Sequence, residues 1–166
     1  MAEPAENLNG KIGSFEIAFE GVDDATKFDP NSWRNKFISS TDFVHGSYDI
    51  EGEEENKSAW VSDDVSMVLS NDKEKDKIAI KGYANMDLLN QAGITEQIFD
   101  FYLNGEKVYS KKVKESGAVE FLLDKKMSDE FIIVEIKTSG YVNPSKEGMS
   151  GDQRNLSWML KLVEQE

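Results

Sequence analysis

A chain of 166 residues with 39% hydrophobic content is long enough to bury one full core and has the length of a single domain. Its 32 acidic residues against 19 basic ones leave a formal charge of −13, which repels phosphate backbones and anionic head groups; neither nucleic acid nor a membrane surface is expected as a partner. The absence of cysteine removes disulfides, thiolate nucleophiles and thiolate-held zinc.

Residues 1–13, with Pro4, Asn7, Asn9, Gly10 and Gly13, lack periodicity and are expected to form a disordered lead-in to a single domain over 14–166. Met1 to Lys11 is polar and acidic without an apolar stretch, and no apolar run reaches the length of a membrane span. The expected location is therefore cytoplasmic, or extracellular had a leader been removed.

From Ser14 onward the apolar residues fall two apart, the period of a strand with one buried face. Phe15, Ile17 and Phe19 form the first set, and Val65, Met67 and Leu69 the next. Ile78 and Ile80 follow across the charged turn Asn71 to Lys77, which reads as a hairpin or a sheet-to-sheet crossing. Helical spacing fits Asn85 to Gln97 alone, where Met86, Leu89 and Gly93 suit a short turn or a lid-like insertion. Phe99, Phe101 and Leu103 then run into Asn104-Gly105, two residues that accept the positive φ of a type I′ hairpin, and Val108 to Val113 return. Val119, Phe121 and Leu123 make another strand, Ile132, Val134 and Ile136 another, and Leu156, Trp158, Leu160 and Leu162 the last. Many short strands separated by polar turns imply an all-β fold, a two-sheet antiparallel β-sandwich of jelly-roll-like form.

Catalysis is not expected. His45 is the one histidine, and its place at an apolar strand end suits a partly buried structural imidazole better than a base. Gly-rich phosphate loops, paired metal-binding histidines and nucleophile elbows are all missing. No cofactor is implied. A structural calcium is the one cation that Glu51, Glu53, Glu54, Glu55, Asp63 and Asp64 would suit, although their spacing is not that of an EF-hand loop.

Carbohydrate recognition needs flat apolar rings against the C–H face of a sugar and planar polar groups for its hydroxyls. Trp33, Tyr48, Trp60, Tyr83 and Tyr141 lie at predicted strand ends or loops where a ring can be exposed, whereas Trp158 alternates with leucines and belongs in the core. Asp152 and Arg154, two residues apart, either clamp the loop from Tyr141 to Gly151 or face a ligand; the spacing favours the clamp.

Gly46-x-Tyr48, Glu51, Trp60, Asn104-Gly105, Asn143-Pro144 and Asp152-x-Arg154-x-Leu156-Ser157 follow one another in an order that resembles the β-sandwich accessory domains of bacterial glycosyltransferases and other surface-polysaccharide assembly proteins. The resemblance spans about residues 43–163; Ala59 stands where a basic residue often precedes the tryptophan, and Ser157 where a glycine often follows the leucine. It implies a non-catalytic carbohydrate-binding or glycan-assembly module, with Tyr48, Glu51, Trp60, Asp152 and Arg154 near one end of the sandwich facing glycan; Tyr141, for its ring, and Asn143, for its amide, are expected to join them as ligand-binding residues. The implied partners are a glycan or polysaccharide and a glycosyltransferase domain. The alternative is a structural or protein-interaction sandwich that docks a partner enzyme and binds no glycan.

Overall fold

The computed structural model describes residues 8–12, 15–19, 25–29, 44–53 and 56–166. Leu8–Ile12 (β1) pairs antiparallel with Phe15–Phe19 (β2), so strand structure begins at Leu8, within the stretch expected as a lead-in; residues 1–7 and 13 of that stretch lie outside the described residues. The main body contains Val44–Glu51 (β3), Ser58–Ser70 (β4), Lys77–Ala84 (β5), the helix Met86–Gln91 (α1), Gln97–Leu103 (β6), Glu106–Val113 (β7), Gly117–Asp124 (β8), Phe131–Thr138 (β9) and Trp158–Gln165 (β10).

Every ladder among the described strands is antiparallel, in the order β7-β6-β9-β4-β10-β5-β8, with β3 also on β4. The path is two layers joined by one long strand. Residues 64–70 of β4 pair with β9, while residues 59–61 pair with β10. β3 follows β4 through the passage, and between His45↔Ser66 and Ser47↔Val61 the single residue Gly46 faces residues 62–65. Gly46 has φ +81°, and a Cβ there would lie 2.1 Å from the Asp64 carbonyl oxygen, so only glycine lets the two backbones close at this corner. Ser62 Oγ reinforces it, accepting from the Asp64 N–H at 3.3 Å and donating to the Asp64 carbonyl at 3.0 Å.

The layers meet through rings. Phe121 of β8 lies 5.1 Å from Phe99 and 4.7 Å from Phe101 of β6, and Trp158 of β10 meets Phe99 edge-on at 5.2 Å. Each such ring contributes about 1.5–3 kcal/mol by burial, and the tilted or edge-on geometry adds to that. Strand alternation supplies the rest: Phe99, Phe101 and Leu103 of β6 and Ile132, Val134 and Ile136 of β9 are buried, as the sequence pattern required. These contacts between opposed layers make the fold a two-sheet antiparallel β-sandwich.

Asn104 (φ 47°) and Gly105 (φ 85°) form the expected type I′ turn between β6 and β7. Asn104 also ties the turn to β9, donating to the Phe131 carbonyl at 3.3 Å and accepting from the Ile133 N–H at 2.6 Å. The expected helical turn is α1, capped by Asn85 Oδ1 on the Leu88 N–H at 3.1 Å, with Met86 and Leu89 packed on Val142; it stops at Gln91 rather than reaching Gln97, which opens β6. Of the two readings of the Asn71–Lys77 turn, the crossing is the observed one, since β4 runs into it from one layer and β5 leaves it in the other.

The return strand after the turn is β7, as expected; its residues 106–112 are exposed, because among the described residues it has a partner on one side only and a bulge at Val108 breaks its alternation. Two expectations need correction. Leu156 lies outside the last strand and makes an isolated bridge with Val142. A bulge between Leu160 and Leu162 then shifts the phase of β10, so that Val163 is fully buried and Leu162 only half-buried. Phe28, also fully buried, pairs with Val163 through backbone bonds of 2.8 and 2.9 Å.

Candidate functional site

The loop from Ser139 to Ser157 is held against the sandwich by a chain of polar contacts that starts at Arg154. Its Nε lies 3.0 and 3.2 Å from the two Asp152 carboxylate oxygens, its Nη2 lies 2.8 Å from Oδ2, and its own backbone N–H donates to Oδ1 at 3.0 Å. This forked arrangement is the strong form of an arginine–carboxylate pair. The Arg154 side chain, and after it the Arg154 backbone N–H, hold the Asp152 carboxyl below its usual range, and Asp152 in turn raises the Arg154 guanidinium.

The third corner of the guanidinium faces β3. Nη1 lies 3.7 Å from Glu51 Oε2, and the guanidinium carbon sits 5.7 Å from the centre of the Tyr48 ring, within cation–π range. The Tyr48 hydroxyl accepts from the Asn155 N–H at 3.0 Å. Because β3 and β10 flank β4 on opposite edges, this bond carries Tyr48 across β4 to the segment that leads into β10.

Asn143 braces the same loop from inside. Its Nδ2 donates to the Gln153 carbonyl at 2.9 Å and to Asn155 Oδ1 at 3.0 Å, and its Oδ1 accepts from the Lys146 N–H at 3.2 Å. Beside it a shallow depression of about 450 Å³ is lined by Asn143, Ser145, Lys146, Gln153 and Asn155.

Four of the residues singled out in the sequence, Tyr48, Glu51, Asp152 and Arg154, thus form one contact cluster, and Asn143 joins it through Asn155. Tyr141 lies at the start of the loop with its side chain 43% exposed. Trp60 is one strand away from Tyr48, on β4, and belongs to a second feature. Val61, Trp158 and Ile80 are fully buried, so their alternating neighbours Trp60, Met159 and Tyr83 face away from the core. Register sets these three side by side, Trp60↔Met159 and Met159↔Tyr83, on three adjacent strands. Tyr83 is 40% exposed, and Trp60 and Met159 are half-buried. Met159 carries no signal of its own in the sequence, and Tyr83 stands out there only as an aromatic residue at a predicted strand end; the row depends on pairing between distant segments.

Other candidates resolve differently. His45 is exposed on β3 opposite Ser66, so the expectation of a partly buried imidazole is corrected: it lies on the outward side of the strand. Among the described residues no group of three His, Asp or Glu side chains gathers as cation ligands; Glu54, Glu55 and Trp33 lie outside the described residues. Burial, followed by a hydrogen bond with Asp64, raises the Glu135 carboxyl above its usual range on the outer side of β9. No described helix is long and apolar enough to cross a membrane.

No protein-family profile matches the chain, and no curated protein does. Among solved structures it is similar to the CBM36-1 domain of a multidomain xylanase from the hindgut metagenome of Trinervitermes trinervoides, at 12% identity and a TM-score of 0.39 over 73% of this chain and 88% of that one. It is similar to a CBM4 structure at 8% identity and a TM-score of 0.35, over 87% and 94% of the two chains. It is also similar to the M60 catalytic domain with the CBM51-1 and CBM51-2 domains from Clostridium perfringens ZmpB, at 11% identity and a TM-score of 0.36, over 69% of this chain. The match spans 11% of the length of that last protein.

Proposed function

We propose that this chain is a non-catalytic carbohydrate-binding module. The observation that carries the reading is the row Trp60–Met159–Tyr83 on the outer side of β4, β10 and β5. Two rings flanking a flexible thioether form a flat apolar strip about two strand spacings, or roughly 9.5 Å, across. Such a strip suits the C–H faces of a short run of sugars.

Polar groups border it. Lys81 precedes Tyr83 on the same face of β5, Glu51 is exposed at the end of β3, and among the described residues Arg154 Nη1 holds only the longer 3.7 Å contact. Asp152 and the Tyr48 hydroxyl are engaged by Arg154 and Asn155, so their part is to position the loop that carries Tyr141 and the depression beside Asn143. Sugar hydroxyls exchange bonds with water for bonds with protein at a net gain of about 0.5–1.5 kcal/mol each, so binding is weak and rests on the rings. The resemblance in the order of sequence motifs extends the proposal to a module serving a glycosyltransferase or another enzyme of surface-polysaccharide assembly.

A glycan array followed by chemical-shift mapping tests the reading. Hits should perturb Trp60, Met159 and Tyr83, and Tyr83→Ala should weaken binding at least tenfold with an unchanged circular dichroism spectrum. No hits, together with retention of a partner enzyme, would replace the proposal with a protein-interaction domain.

A further inference from the structure

Asn104 and Gly105 form the exposed tip of the β6–β7 hairpin, and the two halves of this pair are held very differently. Asn104 is bonded to β9 through backbone and side chain alike. Its N–H donates to the Ile133 carbonyl at 2.9 Å, its Oδ1 accepts from the Ile133 N–H at 2.6 Å, and its Nδ2 donates to the Phe131 carbonyl at 3.3 Å. Met127 Sδ lies 3.6 Å from the same side-chain nitrogen. The Gly105 N–H, by contrast, has no hydrogen-bond partner among the described residues, and a Cβ built on Gly105 meets no atom beyond its chain neighbours within 4 Å.

An unbonded backbone nitrogen in the open therefore stands next to a side-chain amide that is tied away from it, and glycine has no side chain to block that nitrogen. Asn-Gly also occurs at Asn9-Gly10, where Asn9 is paired along β1 with Ala18 rather than set in a turn. We propose that Asn104 is a modification site of the chain, gated by its tie to β9: when the turn lifts off, the Asn104 side chain cyclises onto Gly105 and loses ammonia. In that step the Gly105 nitrogen gives its proton to hydroxide and bonds to Asn104 Cγ, while the Cγ–Nδ2 bond breaks and the departing nitrogen takes a proton from water. The result is a cyclic imide. Water then adds to either of its carbonyls, which yields aspartate when the new bond to Cγ opens and isoaspartate when the original peptide bond opens. No atom is oxidised or reduced; an amide and a water become a carboxylate and an ammonium ion.

Closed, the turn opposes this reaction. With the amide oxygen and the amide nitrogen both engaged on β9, Cγ cannot swing to the Gly105 nitrogen, so conversion proceeds only in the fraction of molecules whose hairpin tip is open. Once made, neither product restores the tie. Aspartate places an oxygen without a hydrogen where Nδ2 donated to the Phe131 carbonyl, and isoaspartate adds a methylene to the main chain of a tight type I′ turn that has no room for it. The change runs one way, and it frees the tip of the hairpin that carries β7.

Peptide mapping by mass spectrometry, which separates Asn104 from Asn9, measures the conversion in the full chain at mildly alkaline pH, both folded and in urea beyond the unfolding transition. Isoaspartyl methyltransferase labels the isoaspartate. Folding should slow the conversion of Asn104 at least tenfold, and chain converted in urea and then refolded should exchange the Ile133 amide hydrogen at least tenfold faster than the parent. Asn104→Gly, which accepts the positive φ and cannot cyclise, should show that fast Ile133 exchange from the outset. Equal conversion rates in the folded and unfolded chain would overturn the gating. Ile133 exchange as slow in the converted chain, or in Asn104→Gly, as in the parent would overturn the tie, and an Asn104 that keeps its amide in urea would overturn the site itself.

Discussion

The Tyr48 hydroxyl accepts a hydrogen bond from the Asn155 backbone N–H at 3.0 Å, joining positions 107 residues apart in the chain. It fixes the end of the Ser139–Ser157 loop to β3. Tyr48→Phe keeps the ring under Arg154 and deletes only the acceptor, leaving a half-buried N–H to find water. The expected cost is about 1 kcal/mol, a fall in Tm of roughly 2–4 °C for a domain of this size. Thermal denaturation measures it, and faster amide exchange should appear at Asn155. An unchanged Tm and unchanged exchange would show that the bond contributes nothing.

The Asp152–Arg154 clamp predicts a pH response of definite sign. The Asp152 carboxyl is held below its ordinary 3.8, so the folded state binds its proton less readily than the unfolded chain does. Its contribution is then fully present above pH 3.8 and is lost as pH falls through the lower folded value. Carbon-detected titration of the carboxyl should find it still ionised at pH 3.8, with the Arg154 Nε–H signal sharpening as it ionises. Asp152→Asn should abolish the pH dependence of that signal. A midpoint above 3.8 would contradict the clamp.

How much of this was legible beforehand depends on the distance over which the information acts. Strands with apolar residues two apart, such as Phe99 to Leu103 and Ile132 to Ile136, were readable because alternation is local. So were Asn104-Gly105 and the Asp152–Arg154 pair, whose partners are neighbours in sequence. The phase of β10 was misread after Leu160 because a bulge leaves no mark in an apolar run. The Trp60–Met159–Tyr83 row and the Tyr48–Asn155 bond depend on which strands lie together, and no residue pattern within either strand states that.

Gly46 tests the corner where β4 passes between layers. A methyl group there would meet the Asp64 carbonyl oxygen at 2.1 Å and would require a non-glycine residue at φ +81°. Backbone strain alone costs about 1–3 kcal/mol, and the overlap forces β3 away from β4. Gly46→Ala should therefore lower stability by about 3 kcal/mol or more in urea denaturation, and it should loosen the Ser47↔Val61 pairing that sets Tyr48. A near-neutral effect would mean that the corner is not constrained as described.

Lys125 tests the opposite end of the domain. It is only 4% exposed, and its ammonium donates to Asn71 Oδ1 at 2.8 Å, the Asp72 carbonyl at 2.6 Å and Gln165 Oε1 at 2.7 Å. All three of its donors are used. Gln165 extends the contact through Nε2 to the Thr26 carbonyl at 2.6 Å and the Ser70 carbonyl at 2.9 Å, so one cation links the end of β8 to the end of β4, to β10 and to residues 25–29. Lys125→Met keeps an apolar stem of similar length but strips a bond from each of the three oxygens. Asn71 Oδ1 is then left without a donor among the described residues. Bonds to a charged group are each worth more than neutral ones, and the expected loss is about 3 kcal/mol, or roughly 6–12 °C in Tm. Lys125→Arg should not restore it, because a planar fork cannot aim at three acceptors gathered around one point. A Met variant as stable as the parent would show that these oxygens are equally well served by water.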